Sequence, residues 1–368
     1  MRLTFCTVCR NRLFHLKETF LKNLQDNDQP EVDFVLLDYN SSDGLEQWVF
    51  SNLSAEIEMG KVTYYRTFQP EYFHRSHSRN MVFKLAQGSI ICNLDADNFL
   101  GPGFAFWLKE CFNTDQNIFV CAGSISDRLM STDVAGRICV RKEDFDALGG
   151  FDESMSGYGF EDFDLIERLE SSQIKKRIIS NSLFLKAISH SIKTRVIEEF
   201  EYRNIETILV SYKTPYKSKM IFLFRNNVFS TGSILNNVSE ESSMPSLNTK
   251  AYPSNIMLLS EEAWHYGTWT KFVASAFNGI HLEFESDSQM NTSLNFNQST
   301  STFINQFEIY FIINDRHKIE EAIAYYSQIK NRTTMNRNMG APNKCVNSGA
   351  MGKGIVFKNF DYNTEIRL

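Results

Sequence analysis

The sequence has no apolar run long enough to span a bilayer, and its first residues enter a strand-like pattern at once. Neither a transmembrane segment nor a signal peptide is expected, and the expected compartment is cytoplasmic. It has no excess of positive charge: 38 Lys and Arg against 44 Asp and Glu leave a net charge of −6, with no basic stripe for nucleic acid. It has no dense cysteine framework, because seven scattered cysteines, an odd number, suit reduced thiols. It has no internal repeat and no glycine-rich phosphate loop. Cys9-Arg10-Asn11-Arg12, after the first apolar run, lacks the glycines of a dinucleotide-binding turn. The segment 349–354 lacks the spacing and the Ser/Thr of a Walker A loop.

What is present is enough apolar matter to fold: 42% hydrophobic and 13% aromatic residues exclude global disorder. At 368 residues the chain is one large domain with an elaboration, or two domains. Its first half alternates two periodicities. Apolar, β-branched runs at 3–9, 32–37, 62–66 and 89–94 read as strands. Leu13, Leu16, Phe20 and Leu24 recur at helical spacing, and further helices are expected over 45–53 and 78–87, the last capped by Gly88. Such alternation predicts an α/β fold with a mostly parallel central sheet covered by helices on both faces. Ligands then bind outside the carboxyl ends of the strands.

At those ends stand Thr7 to Arg12, Asp38, and the pair Asp95 and Asp97 in Asn93-Leu94-Asp95-Ala96-Asp97. Two carboxylates at i and i+2 offer hard oxygen ligands to Mg2+ or Mn2+, which bind through one or two carboxylates plus substrate phosphates. Arg10, Arg12 and Arg79 can meet phosphate oxygens, and Asp38 can accept from a base or ribose. The set reads as a site for a nucleotide diphosphate and a metal. An EF-hand loop is excluded, since Phe99 and Leu100 stand where an oxygen ligand and glycine belong. For Asp95 and Asp97 alone, a solvated loop capping the next helix remains an alternative. Cys6 and Cys9 have redox spacing, yet Cys6 lies inside an apolar strand, where cysteine acts as a small hydrophobe.

A second constellation follows. Gly149-Gly150-Phe151-Asp152-Glu153 breaks the chain, Gly157-Tyr158-Gly159 forms a hinge, and Glu161-Asp162 opens a helix with core residues Leu165, Ile166 and Leu169. A helix dipole favours acidic residues at its start, but that does not account for the glycine-flanked aromatic loop before them. Together these features resemble metal-dependent glycosyltransferases of the GT-A fold, the family-2-like group. The Gly149–Asp162 block is similar to the C-terminal motif of β-1,4-galactosyltransferase and chondroitin-polymerase-type enzymes. Those enzymes often carry a tryptophan where Tyr158 stands and an acidic residue where Phe163 stands. The resemblance covers about the first 200 residues.

The resemblance implies a transferase moving a hexose or N-acetylhexosamine from a UDP-sugar to a hydroxyl of a glycan or glycolipid-type acceptor, with inversion. Asp162 would be the general base, and Glu161 would bond the acceptor or donor sugar. Asp97 would ligate Mn2+ or Mg2+, with Asp95 indirect and His190 as a further ligand. Thr7, Arg10, Asn11, Arg12 and Asp38 would line the nucleotide pocket, joined by Arg79 and Asn80, with the Tyr158-Gly159 loop closing over the donor. His74 and His77 read as structural. A retaining transferase, a nucleotidyltransferase on the same sheet, or a non-catalytic sugar-binding protein are the alternatives.

Motif density falls after residue 200. The expected division is a nucleotide-sugar and catalytic domain over 1–200 and a C-terminal elaboration over 201–368 that shapes the acceptor site, with the tail 350–362 packing back on the core. Residues 236–251 and 286–301 read as polar loops, 307–313 as a strand and 319–329 as a helix. Trp264, Tyr266 and Trp269 fit sugar stacking or buried core. With no amphipathic basic helix, a lipid-linked acceptor would require peripheral membrane contact.

Overall fold

The computed structural model describes residues 1–123, 132–214, 217–236, 256–257, 264–274 and 277–368. Met1–Ser191 with Lys330–Leu368 form one compact unit, and Ile192–Ile329 form a second. Residues 330–368, which include the tail 350–362 expected to pack back on the core, thus belong with the N-terminal unit.

The first unit is built on a nine-stranded sheet. Its strands are β1 (Leu3–Cys9), β2 (Val32–Tyr39), β3 (Val62–Thr67), β4 (Ile90–Asn93), β5 (Ile118–Cys121), β6 (Ile138–Arg141), β7 (Lys175–Ile178), β8 (Ile355–Lys358) and β9 (Asp361–Arg367). Their order is β9-β8-β3-β2-β1-β4-β6-β5-β7. The centre, β3-β2-β1-β4, is parallel; β6 enters antiparallel between β4 and β5, and β8 lies antiparallel on β3. β2 and β4 are buried at every residue because helices cover both faces.

Period-two alternation sends Phe5, Phe34 and Cys92 to one side and Cys6, Val35 and Ile91 to the other. Helices α1 (Leu13–Asp26), α2 (Leu45–Glu58) and α4 (Phe104–Thr114) bury Leu16, Val49 and Leu108 against the first face. Helices α3 (Arg75–Leu85), α5 (Lys142–Ala147) and α6 (Glu161–Ser171) bury Phe83, Phe145 and Leu165 against the second. One boundary differs from expectation. α3 begins three residues early, at a His74 side chain that accepts from the His77 amide. It ends at Leu85, where Ala86 turns extended, and Gly88 is no left-handed cap.

Of the second unit's strands the sequence pattern caught one, expected over 307–313 and found at Ile309–Ile312. Its strands Ile205–Thr214, Lys217–Phe224, Val228–Asn236, His265–Ala274, Phe277–Phe284, Thr292–Asn297, Thr302–Ile304 and Ile309–Ile312 pair antiparallel in succession. The last pairs with the first, closing a barrel. At this strand number side chains fill the interior. Leu209, Ile221, Leu223, Phe229, Trp269, Ile280, Leu282, Leu294 and Tyr310 do so here. Trp269 is therefore core, its Nε1 donating to the Phe224 carbonyl at 2.9 Å, while Tyr266 is exposed. The stretch 286–301, expected as loop, holds the strand Thr292–Asn297, and the expected helix extends over Arg316–Gly340. Of the other expected loop, residues 237–251 lie outside the described residues.

Gly149 closes the turn after α5 at φ +70, and a Cβ there would sit 2.1 Å from the Val346 carbonyl oxygen. Gly60 has φ +72 with nothing within 4 Å. Gly60→Ala is therefore expected to cost only the left-handed strain, about 1 kcal/mol, and Gly149→Ala distinctly more, read as the two shifts in urea midpoint.

Candidate active site

Arg79 projects from the middle of α3, and its side chain is almost wholly buried. Its Nη1 donates to Glu161 Oε1 at 3.1 Å and Asp162 Oδ1 at 2.7 Å, and its Nη2 to Asp95 Oδ1 at 3.1 Å. One guanidinium thus joins the carboxylate at the end of β4 to the two that open α6. Gly136, unremarked in the sequence, permits this approach: a Cβ there would lie 2.5 Å from Asp95 Oδ2 and 2.8 Å from Arg79 Nη2.

Asp97 lies on the same loop. Its Oδ1 accepts from Asn98 Nδ2 at 2.7 Å, and its Oδ2 is 3.3 Å from His190 Nδ1. A two-residue ladder, Asn98-Phe99 against Lys186-Ala187, draws the His190 segment to that loop. The Ile188 amide then bonds the Asp97 carbonyl at 2.9 Å. His190 Nδ1 also faces the Ile188 carbonyl at 3.1 Å. The His15 ring of α1 lies 5.3 Å from that of His190 and is kept neutral, its pKa lowered to about 4 by burial, Arg12 and His190.

The protonation of the carboxylates diverges. Burial raises Asp162 to about 7, with Glu161 and Asp95 adding to the effect while Arg79 opposes it. Burial and the neighbouring Asp95 raise Asp97 to about 6. Burial also works against the charge on Asp95, but Arg79 and the Asn93 amide hold its carboxyl below the usual range. Glu161 is buried, and its Oε2 has no hydrogen-bond partner among the described residues.

The start of α6 is held from several directions. Phe160, just before it, adopts φ +72, a strained backbone for an aromatic residue. Asp164, one turn in, pairs with Arg168 at 2.7 Å and accepts from Asn338 at 2.9 Å, and Asn338 also bonds Asp152 at 2.7 Å. The hinge is tied as well, since the Gly159 carbonyl accepts from Asn331 Nδ2 at 2.8 Å. The Tyr158 ring lies 5.1 Å from the Arg75 guanidinium carbon.

Other expected residues serve the frame. Arg10 donates to the carbonyls of Tyr39 (3.2 Å), Pro70 (2.8 Å) and Glu71. Asp38 is wholly buried, accepting from the Ser41 amide at 2.7 Å and Tyr64 Oη at 2.9 Å, with Arg66 Nε at 3.6 Å. Asn80 latches the glycine break, donating to Phe151 O and Glu153 Oε1 at 2.8 Å each. Asn11, at φ +52, accepts from the Ser42 amide. Thr7 is buried with Oγ1 unpartnered, and Arg12 precedes the first turn of α1 half-buried.

Residues 127–193 match the family model described as the N-terminal domain of galactosyltransferase. The chain thus carries a segment similar to that domain over less than half of its length. The match holds the Gly149–Asp162 block and His190; its first five residues lie outside the described ones. No curated protein matches the chain. Similar solved structures include a mannosyltransferase from Pyrobaculum calidifontis in complex with GDP-Man and Mn2+, at 17% identity and TM-score 0.40, over 48% of this chain and 54% of that one. S. aureus TarS 1-349 in complex with UDP aligns at 14% and 0.40, over 49% and 58%. Drosophila β1,4-galactosyltransferase 7 in complex with xylobiose aligns at 13% and 0.32, over 49% and 65%. The chain thus spans less than two thirds of each of these proteins.

A carboxyl whose folded pKa is raised favours the fold below its unfolded value, and that contribution is lost as pH rises through the folded pKa. For Asp162 the window runs from about pH 4 to about 7. The unfolding free energy of Asp162→Asn, relative to the wild type, is expected to rise across that window and level off above it, measured by urea titration at successive pH values.

Proposed function

We propose that this protein transfers a hexose or N-acetylhexosamine from a UDP-sugar to a hydroxyl of a glycan acceptor, with inversion and with a divalent metal. The observation that carries this reading is the Arg79 cluster, which joins Asp95 to Glu161 and Asp162 with Asp97 and His190 alongside.

Among the described residues no group of three His, Cys, Asp or Glu is arranged to hold a metal by itself. A carboxylate and an imidazole side by side, Asp97 and His190, nevertheless suit a cation that completes its shell with diphosphate oxygens and water. Asp95 stands behind as the indirect member. The imidazole favours Mn2+ over Mg2+. Bound there, the ion would supply Lewis-acid neutralisation of the departing diphosphate.

The chain's own residues do the rest. Asp162, raised to about 7 and fixed at a helix start, takes the proton of the acceptor hydroxyl. The freed oxygen attacks the anomeric carbon opposite the diphosphate, through an oxocarbenium-like state, and the configuration inverts. Glu161 Oε2, buried and unpartnered, accepts from a sugar hydroxyl. Thr7, Asn11 and Arg12 face the nucleotide, while Arg10, Asp38 and Asn80 brace the walls from behind. The Tyr158-Gly159 loop excludes water above the reacting atoms. A lipid-linked acceptor is reached by peripheral contact, since no helix among the described residues is long and apolar enough to cross a membrane. The seven free cysteines fit a reducing, cytoplasmic setting.

A panel of UDP-sugars with and without Mn2+ tests the proposal. Transfer or hydrolysis is expected only with metal, with the product anomer inverted. Asp162→Asn should lower kcat by about 10²–10⁴-fold while leaving UDP affinity intact. The wild-type kcat/KM should fall about tenfold per pH unit below about 7, since the base acts deprotonated. Wild-type turnover in Asp162→Asn, or in Asp97→Ala, would sink the assignment.

A further inference from the structure

Arg137 enters β6 with about 1% of its surface exposed, yet its acceptors are all uncharged: the Phe184 carbonyl, the Phe99 carbonyl at 3.0 Å and Asn98 Oδ1 at 3.1 Å. Its Nε has no hydrogen-bond partner among the described residues. Burying a guanidinium without a carboxylate is unfavourable by several kcal/mol. The face of Phe104, 5.6 Å away, and the field of Asp95 and Asp97 offset part of that.

Those acceptors lie on the two segments that meet at Asp97. Asn98 and Phe99 follow Asp97 directly, and Phe184 opens the stretch that returns through Lys186-Ala187 to His190. The Asn98 amide is fully committed. Its oxygen takes Arg137, and its two N–H bonds go to Asp97 Oδ1 at 2.7 Å and the Asp133 carbonyl at 3.1 Å. Asparagine can present either end of its amide, but arginine has only donors. Arg137 therefore settles the choice: the oxygen must face the guanidinium, so the nitrogen must face Asp97.

We propose that Arg137 is a positioning residue for the metal-binding pair, orienting Asp97 through Asn98 and setting its spacing from His190 through the Phe99 and Phe184 carbonyls. The inference rests on the reading of Asp97 as a metal ligand. Partners that orient a ligand in this way are worth 10–100-fold in metal affinity.

Mn2+ affinity in the presence of UDP, read by electron paramagnetic resonance on the full chain, tests the link without turnover. Arg137→Met and Asn98→Leu are each expected to weaken Mn2+ binding about 10–100-fold. UDP affinity measured without metal stays unchanged. The double variant loses no more than the worse single one, because both act along one path. Arg137→Lys recovers part of the affinity. An Arg137→Met protein that melts cooperatively and binds Mn2+ like the wild type overturns the proposal, as do losses that multiply in the double variant. Should Arg137→Met not fold, Asn98→Leu and Arg137→Lys carry the same comparison. Asp97→Ala separates the two levels: unchanged Mn2+ binding there removes the metal reading itself. Weakened binding there with a silent Arg137→Met removes only the Arg137 link.

Discussion

The site depends on one buried guanidinium. Arg79 is the cation that lets Asp95, Glu161 and Asp162 gather around one buried point. Three carboxylates so placed would repel one another strongly, and each alone would meet a desolvation cost larger than any single hydrogen bond returns. With Arg79 between them the arrangement becomes tolerable, and the end of β4, the middle of α3 and the start of α6 are fixed together. Packing alone would not determine this: apolar faces could slide by fractions of an ångström, whereas a forked donor with three acceptors could not.

The same cluster assigns different protonation to neighbouring acids. Asp95 receives donors from Arg79 and Asn93 and is held ionised, while Asp162 meets one strong donor against burial and two other carboxylates and is raised to about 7. Environments that push such values apart mark where an acid or base can work near neutral pH. Asp97, raised to about 6, suits a group whose charge awaits a cation. The proposed division, charge compensation at Asp95 and Asp97 and proton transfer at Asp162, follows this split in protonation.

Much of this frame could be read from the letters. Continuous apolar runs betrayed β1, β2 and β4, and the rule that strand ends carry ligands drew Asp95 and Asp97 to notice before any coordinates. Arg79 was legible as a cation near the site but not as its hub, because its partners lie 16, 82 and 83 residues away and no local pattern encodes such a meeting. Arg10 and Asp38 have partners that the letters do not reveal. Their positions at strand ends suggested contact with ligand, but their side chains turn inward to carbonyls and to Tyr64. The barrel stayed hidden for a third reason. Its outward residues include polar ones, asparagine and serine among them, and the closing pairing joins segments about 100 residues apart. Alternation that faint is easily taken for loop.

What completes the catalytic end of the first unit is not in the galactosyltransferase-type segment. Asn338 bridges Asp152 and Asp164, Asn331 holds the Gly159 carbonyl, and Asn347 donates to the carbonyls of Gly149 and Phe151 while accepting from the Glu153 amide. Each bond satisfies a backbone or carboxyl group that the glycine breaks and the strained Phe160 leave without helical or strand partners. The barrel residues 192–329 therefore interrupt, in sequence, a unit whose helix α6 is held from both sides of the interruption. A fragment ending at residue 193 would keep every motif that the family model recognises, yet it would lose the asparagines that hold Glu161 and Asp162 where Arg79 can reach them.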